Sequence, residues 1–178
     1  QDKTRIKVIQ PLINHLIKSK AKIIVISHLG RPKGKVIQKM SLEPVFKYFS
    51  EIFNTKIYFY KDKINNEIIE KTKKINSGEI FFLENIRFHK EEEMDDESFA
   101  KTLSMCGELF INEAFSCSHR KQASLHNITK FIDSYGGPYL KKELDSINMI
   151  LENKKRPVVC IIGGAKVSTK INILKKLV

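Results

Sequence analysis

Short, almost wholly apolar runs alternate along this chain with segments whose apolar residues recur every three or four positions. That alternation constrains the fold more than any other feature. Residues 22–27, 56–60, 80–83, 108–112 and 158–162 have the length and β-rich composition of strands. Between them, helical spacing runs through Ile6, Ile9, Leu12, Ile13, Leu16 and Ile17, with Thr4 as the expected N-cap. It returns in a segment opened by Ser41 with Pro44 in its first turn, around residues 66–74, and around 98–105 up to Gly107. A Gly136-Gly137-Pro138 break precedes a longer periodic helix over about 139–152, and a last helix begins at Ser168. Strands apolar on both faces and separated by helices predict a parallel sheet covered on both sides. The expected class is α/β, a Rossmann-like three-layer sandwich, truncated, with the first strand-loop-helix of a second α/β domain behind it. The ends read as cut, since the chain opens without Met and stops inside an apolar periodic pattern.

Composition enters as a set of exclusions. The longest apolar runs, such as Ile23 to Ile26 and Val158 to Ile162, fall far short of the ~20 residues that span a bilayer. No secretory pattern opens the chain, and Cys106, Cys117 and Cys160 lack zinc spacing, so reduced thiols in a cytoplasmic protein are expected. The net charge of +12 points toward nucleic acid, but it gathers at the two ends and most of it is lysine. A coding bias toward Lys, Ile and Asn accounts for that. A nucleic-acid-binding module would also need stacking aromatics among its basic residues, and this chain has no Trp.

In an open parallel sheet, ligands bind beyond the carboxyl ends of the strands, where loops converge and helix N-termini present amides to anions. Four strands lead into polar loops there, at residues 27–32, 84–89, 112–120 and 163–170. Of only five arginines, Arg31, Arg87 and Arg120 lie in the first three loops and Arg5 opens the first helix. Arginine placed this way in a lysine-rich chain suits planar, bidentate recognition of phosphate or carboxylate, hence a small acidic substrate. His28 and His119 fit either capping and packing or a site. The acidic run Glu91 to Glu93 with Asp95 and Asp96 reads as a solvated face and helix start, not a metal site. Gly163 and Gly164 let the backbone approach a ligand closely, with Lys166 and Lys170 within reach of polyphosphate oxygens.

These residues coincide with a known pattern. Thr4-Arg5-Ile6, SHLGRP at 27–32, the helix start at 41–45, LENIRFHKEEE at 83–93, the 112–124 segment ending HRKQAS, and GGAKVSTK after Arg156-Pro157 stand in the order of one family. Over essentially its whole length the chain resembles phosphoglycerate kinase. The resemblance implies a phosphoglycerate-binding N-terminal domain over residues 1–138 that lacks its first strand, an interdomain helix over 139–155, and the start of a nucleotide domain over 156–178. It implies reversible phosphoryl transfer between 1,3-bisphosphoglycerate and ADP, with ATP/ADP carrying Mg2+, in a cytoplasmic monomer without nucleic-acid or membrane partners.

By the same resemblance Arg5, His28, Leu29, Gly30, Arg31, Arg87 and Arg120 hold the phosphoglycerate. Gly164, Ala165, Lys166 and Lys170 contact nucleotide phosphates, and Arg5 and Lys166 serve the moving phosphoryl group. Glu113 stands where the family pattern has Asp, and Thr169 where some members carry an acid. These 178 residues alone are expected to bind phosphoglycerate weakly and to turn over little.

Overall fold

In the computed structural model, which describes residues 3–152 and residue 159, helix α1 (Thr4–Lys18) leads into strand β1 (Ile23–Val25). Helix α2 (Glu43–Ile52), β2 (Ile57–Tyr60), α3 (Asn66–Lys73) and β3 (Ile80–Leu83) follow. Then come the short α4 (Lys90–Glu93), α5 (Glu97–Ser104), β4 (Leu109–Asn112), β5 (Asp133–Gly136) and α6 (Pro138–Glu152). The chain divides into two units, Gln1–Leu140 and Lys141–Val178, and the packing described here belongs to the first. The expected strand at 158–162, the Gly163-Gly164 loop and the helix from Ser168 lie outside the described residues.

β3 runs between β1 and β2, parallel to both, with Ile80 opposite Ile23 on one side and Ile57 on the other. All four β3 side chains are buried, because alternate residues of a central strand point to opposite faces and both faces are covered. Ile80 and Phe82 join Ile13, Ile23, Leu42, Phe49 and Phe53 under α1 and α2. Phe81 and Leu83 join Ile68, Ile69, Phe99, Ala100 and Leu103 from α3 and α5. On the first face Phe46 stacks on Phe59 with centroids 4.8 Å apart, and Phe49 meets Phe82 edge-on at 5.3 Å. The three layers are therefore helices, sheet and helices, as the periodicity predicts.

Where one sheet is expected, the strands form two. β4 pairs in parallel with β5, Leu109 opposite Asp133, while β1 to β3 make the other sheet. Phe110 and Ile132 nevertheless pack against the cluster that holds Phe81 and Leu83, so both sheets share a core without sharing a ladder. β5 has no apolar signal in the sequence, and all four of its residues are exposed. Helix ends also differ from expectation. Thr4 is the first helical residue, with Lys3 at the N-cap position. The helix expected at Ser98 starts one residue earlier, capped by the Asp96 carboxylate accepting from Phe99 N–H, and ends at Ser104 with Met105 after it, before Gly107.

Candidate functional site

Because β1 and β3 are hydrogen-bonded neighbours, the loops leaving their carboxyl ends run side by side. Asn85, fully buried, ties them together. Its amide NH2 donates to the Leu29 and Met40 carbonyls, both at 2.8 Å, and its Oδ1 accepts from the Arg87 amide at 3.1 Å. The preceding Glu84 accepts from Ser41 Oγ and the Leu42 amide, each at 2.7 Å, which seats the start of α2 on the same edge. Gly30 has φ +66°, and a Cβ there would come within 2.9 Å of Met40 Sδ. A side chain at this position would be both strained and crowded.

Arg87 is only 3% exposed. Its Nη1 donates to the Gly30 carbonyl at 2.9 Å and its Nη2 to Gln122 Oε1 at 3.0 Å, while Nε is buried with no partner among the described residues. Arg120 also buries an unpartnered Nε. A buried guanidinium N–H without an acceptor costs free energy unless something else meets it. Half-buried His28 reports the field these arginines create. Burial, and then the charges of Arg87, Arg120 and Arg5, push its pKa from 6.5 down to about 4, so the ring is neutral near pH 7. The same three arginines pull on the Cys117 thiol, yet burial outweighs them and holds its pKa above the usual value. Burial and the neighbouring Arg120 lower the pKa of Arg87 as well, although a guanidinium keeps its charge at any physiological pH.

Among the expected site residues, the structure thus gathers Arg5, Arg87 and Arg120 around His28. Leu29 and Gly30 sit in the same loop, with the Gly30 carbonyl on Arg87. Arg31 follows them, exposed, and forms no hydrogen bond or ion pair with a described residue. His119 is exposed beside Arg120. Gly164, Ala165, Lys166 and Lys170 lie outside the described residues.

This arrangement has counterparts among known proteins. The family model for phosphoglycerate kinase matches residues 1–178. A phosphoglycerate kinase of Coprothermobacter proteolyticus is 44% identical over 176 residues, covering 99% of this chain and 45% of the relative. One from Wolbachia pipientis is 42% identical over 177 residues, covering 99% and 44%. The solved phosphoglycerate kinase of Coxiella burnetii superposes with a TM-score of 0.84 at 32% identity, over 98% of this chain and 44% of its own. The chain belongs to the phosphoglycerate kinase family. It spans less than half the length of the relatives it matches.

Several residues that hold this part of the chain in shape carry no functional signal in the sequence. The acidic run is the clearest correction. Read as a solvated face, it contains Glu92, which is 1% exposed. The Glu92 carboxylate accepts from Ser124 N–H at 2.9 Å and Ser124 Oγ at 2.7 Å, and the Glu92 carbonyl accepts from the Ala123 amide at 3.0 Å. Burial raises its pKa, and the two Ser124 bonds restrain that rise. With Gln122 on Arg87, three consecutive residues of the loop bearing Arg120 are fastened to residues 87–92. The spacing between partners hides this, since donor and acceptor lie 32 residues apart.

Glu113, at the end of β4, is another such case. Its carboxylate accepts from the Tyr139 and Leu140 amides at 3.3 and 3.0 Å, capping the start of α6. A Cβ on Gly137 would lie 2.3 Å from Glu113 Cδ, so the glycine of the Gly-Gly-Pro break makes room for this cap.

Proposed function

We propose that this chain carries the phosphoglycerate-binding part of a phosphoglycerate kinase, which transfers a phosphoryl group reversibly between 1,3-bisphosphoglycerate and Mg-ADP, giving 3-phosphoglycerate and ATP. One observation carries the reading: Arg87, Arg120 and Arg5 all act on a neutral His28 at the carboxyl edge of a parallel sheet. Two of these arginines also bury donors that no described residue meets. Phosphoryl transfer asks a protein chiefly for positioning and for positive charge around the phosphoryl oxygens.

In this proposal Arg31, Arg87 and Arg120 hold the non-transferred phosphate and the carboxylate, with Leu29 and Gly30 lining the substrate. Arg5 and Lys166 serve the moving phosphoryl group, where a well-placed arginine can be worth ~10³ in rate. His28, neutral, orients substrate through a hydrogen bond and is not the base. Gly164, Ala165, Lys166 and Lys170 would contact the nucleotide phosphates, and Mg2+ would arrive with the nucleotide. Residues 1–138 form the phosphoglycerate domain, 139–155 the interdomain helix and 156–178 the opening of the nucleotide domain. We place the enzyme in glycolysis as a cytoplasmic monomer acting on small molecules, without nucleic-acid or membrane partners.

The test is titration of the chain with 3-phosphoglycerate, following the His28 ring by NMR. A bound anion offsets the arginine charge, so the His28 pKa should climb from about 4 toward its ordinary value as the site fills. Saturable binding that leaves His28 untouched, or no binding, overturns the assignment.

A further inference from the structure

We infer that Gln122 is a positioning residue for the anion site: it fixes the direction of the Arg87 guanidinium while leaving that positive charge unneutralised. The inference rests on the reading of Arg87 as a substrate-binding residue. Arg87 and Gln122 are both buried, at 3% and 6% exposure. Among the described residues both acceptors of the Arg87 fork are neutral oxygens, the Gly30 carbonyl at 2.9 Å and Gln122 Oε1 at 3.0 Å. A buried arginine is ordinarily matched with a carboxylate, because an unpaired buried charge is costly. Two carboxylates act on Arg87 from nearby, exposed Glu93 and buried Glu92, and neither bonds to it. That of Glu92 is turned to Ser124, accepting from Ser124 Oγ and N–H through separate oxygens.

The local design therefore supplies direction without neutralisation. Two neutral acceptors hold one N–H from each terminal nitrogen, Nε stays buried and unmet, and the net charge remains for an incoming anion. Gln122 itself is anchored through its main chain. Its carbonyl accepts from the Leu125 and His126 amides at 2.9 and 2.7 Å, and the next two residues are bonded to Glu92. The amide oxygen that meets Arg87 is thus presented from a fixed backbone.

Two substitutions distinguish this role from plain packing. Gln122→Glu keeps the size and an oxygen facing Arg87, and adds a negative charge. Gln122→Met keeps the length and removes the acceptor. If Gln122 only completed a hydrogen bond or filled space, Gln122→Glu would be the milder change, because an Arg–carboxylate bond is stronger than an Arg–amide one.

The inference predicts the reverse order for 3-phosphoglycerate affinity by calorimetry on the full chain. Gln122→Met should lose about 3-fold through misorientation, and Gln122→Glu at least ~10-fold through ion pairing. The melting temperature of Gln122→Glu should meanwhile stay at or above that of the unsubstituted chain. Side-chain 15N spectra add a second readout. Rotation about the Arg87 guanidinium bonds should be slowed in the unsubstituted chain and in Gln122→Glu, and freed in Gln122→Met. Equal affinities across the three proteins, or Gln122→Glu binding better than Gln122→Met, would overturn the inference while leaving the site assignment intact. An unsubstituted chain that does not bind 3-phosphoglycerate would remove the assignment and the inference with it.

Discussion

β3 and β5 are each four residues long and each pairs in parallel with a neighbour, yet every β3 residue is buried and every β5 residue is exposed. Backbone pairing alone does not decide what a strand contributes. β3 joins two apolar clusters, one on each face, and the loop that leaves it can hold Asn85 and Arg87 out of water. β5 follows a short 3-10 turn at Asn127–Lys130, and its carboxyl end leads into α6. A buried arginine needs a rigid, dry frame, which the β3 edge supplies and exposed β5 does not.

Truncating the centre of that frame should have the largest effect. Phe82 is 1% exposed and touches the rings of Phe46, Phe49 and Phe59. Phe82→Ala should cost ~3–5 kcal/mol in a denaturant melt, a large share of the ~5–15 kcal/mol typical of a domain. A loss below ~1 kcal/mol would mean that the sheet centre is not where stability resides. Asn85→Ala comes next. It strips partners from the Leu29 and Met40 carbonyls and the Arg87 amide at once, for about 3 kcal/mol at roughly 1 kcal/mol each. It should also weaken 3-phosphoglycerate binding more than its stability loss alone explains, since it frees the loop that carries His28.

The contrast also explains what could be read from the sequence. The apolar runs at 57–60 and 80–83 and the helical periods around them are signatures of burial, and burial is what the fold rests on there. The arginine-bearing loops were legible because arginine is scarce in a chain rich in lysine. Three features escaped for related reasons. β5, with the sequence Asp-Ser-Tyr-Gly, is held by main-chain bonds that any residues can make, so its side chains record nothing. Glu92 sits in a run of acids whose neighbour Glu93 is exposed; only Ser124, far along the chain, tells it apart. Gln122 belongs to a quoted motif, but its link to Arg87 exists only in three dimensions.

Glu92 offers a pH-gated effect of intermediate size. Its pKa lies above the ordinary 4.5 in the folded chain, because burial outweighs the Ser124 bonds. Between the ordinary and the raised value, the folded chain keeps a proton that the unfolded chain has released. Stability therefore falls as pH rises through that window, and the contribution is fully present only below 4.5. Melts of the chain and of Glu92→Gln, compared at successive pH values upward from 4, should show the unsubstituted chain losing ground as pH climbs. Parallel curves would mean that the carboxylate is compensated by its hydrogen bonds and by Arg87.

The smallest effect belongs to β5 and is the sharpest check on the opening contrast. Tyr135 is 60% exposed and pairs with Ile111 through the main chain. If β5 is held by its ladder alone, Tyr135→Ala should shift stability by no more than ~0.5 kcal/mol. Tyr135→Pro, which removes an N–H and restricts the backbone, should cost clearly more. The difference between the two substitutions then measures the ladder itself. Were Tyr135→Ala to cost as much as Tyr135→Pro, the tyrosine ring would be covered in solution by something that packs on it, and exposure would no longer separate β5 from β3.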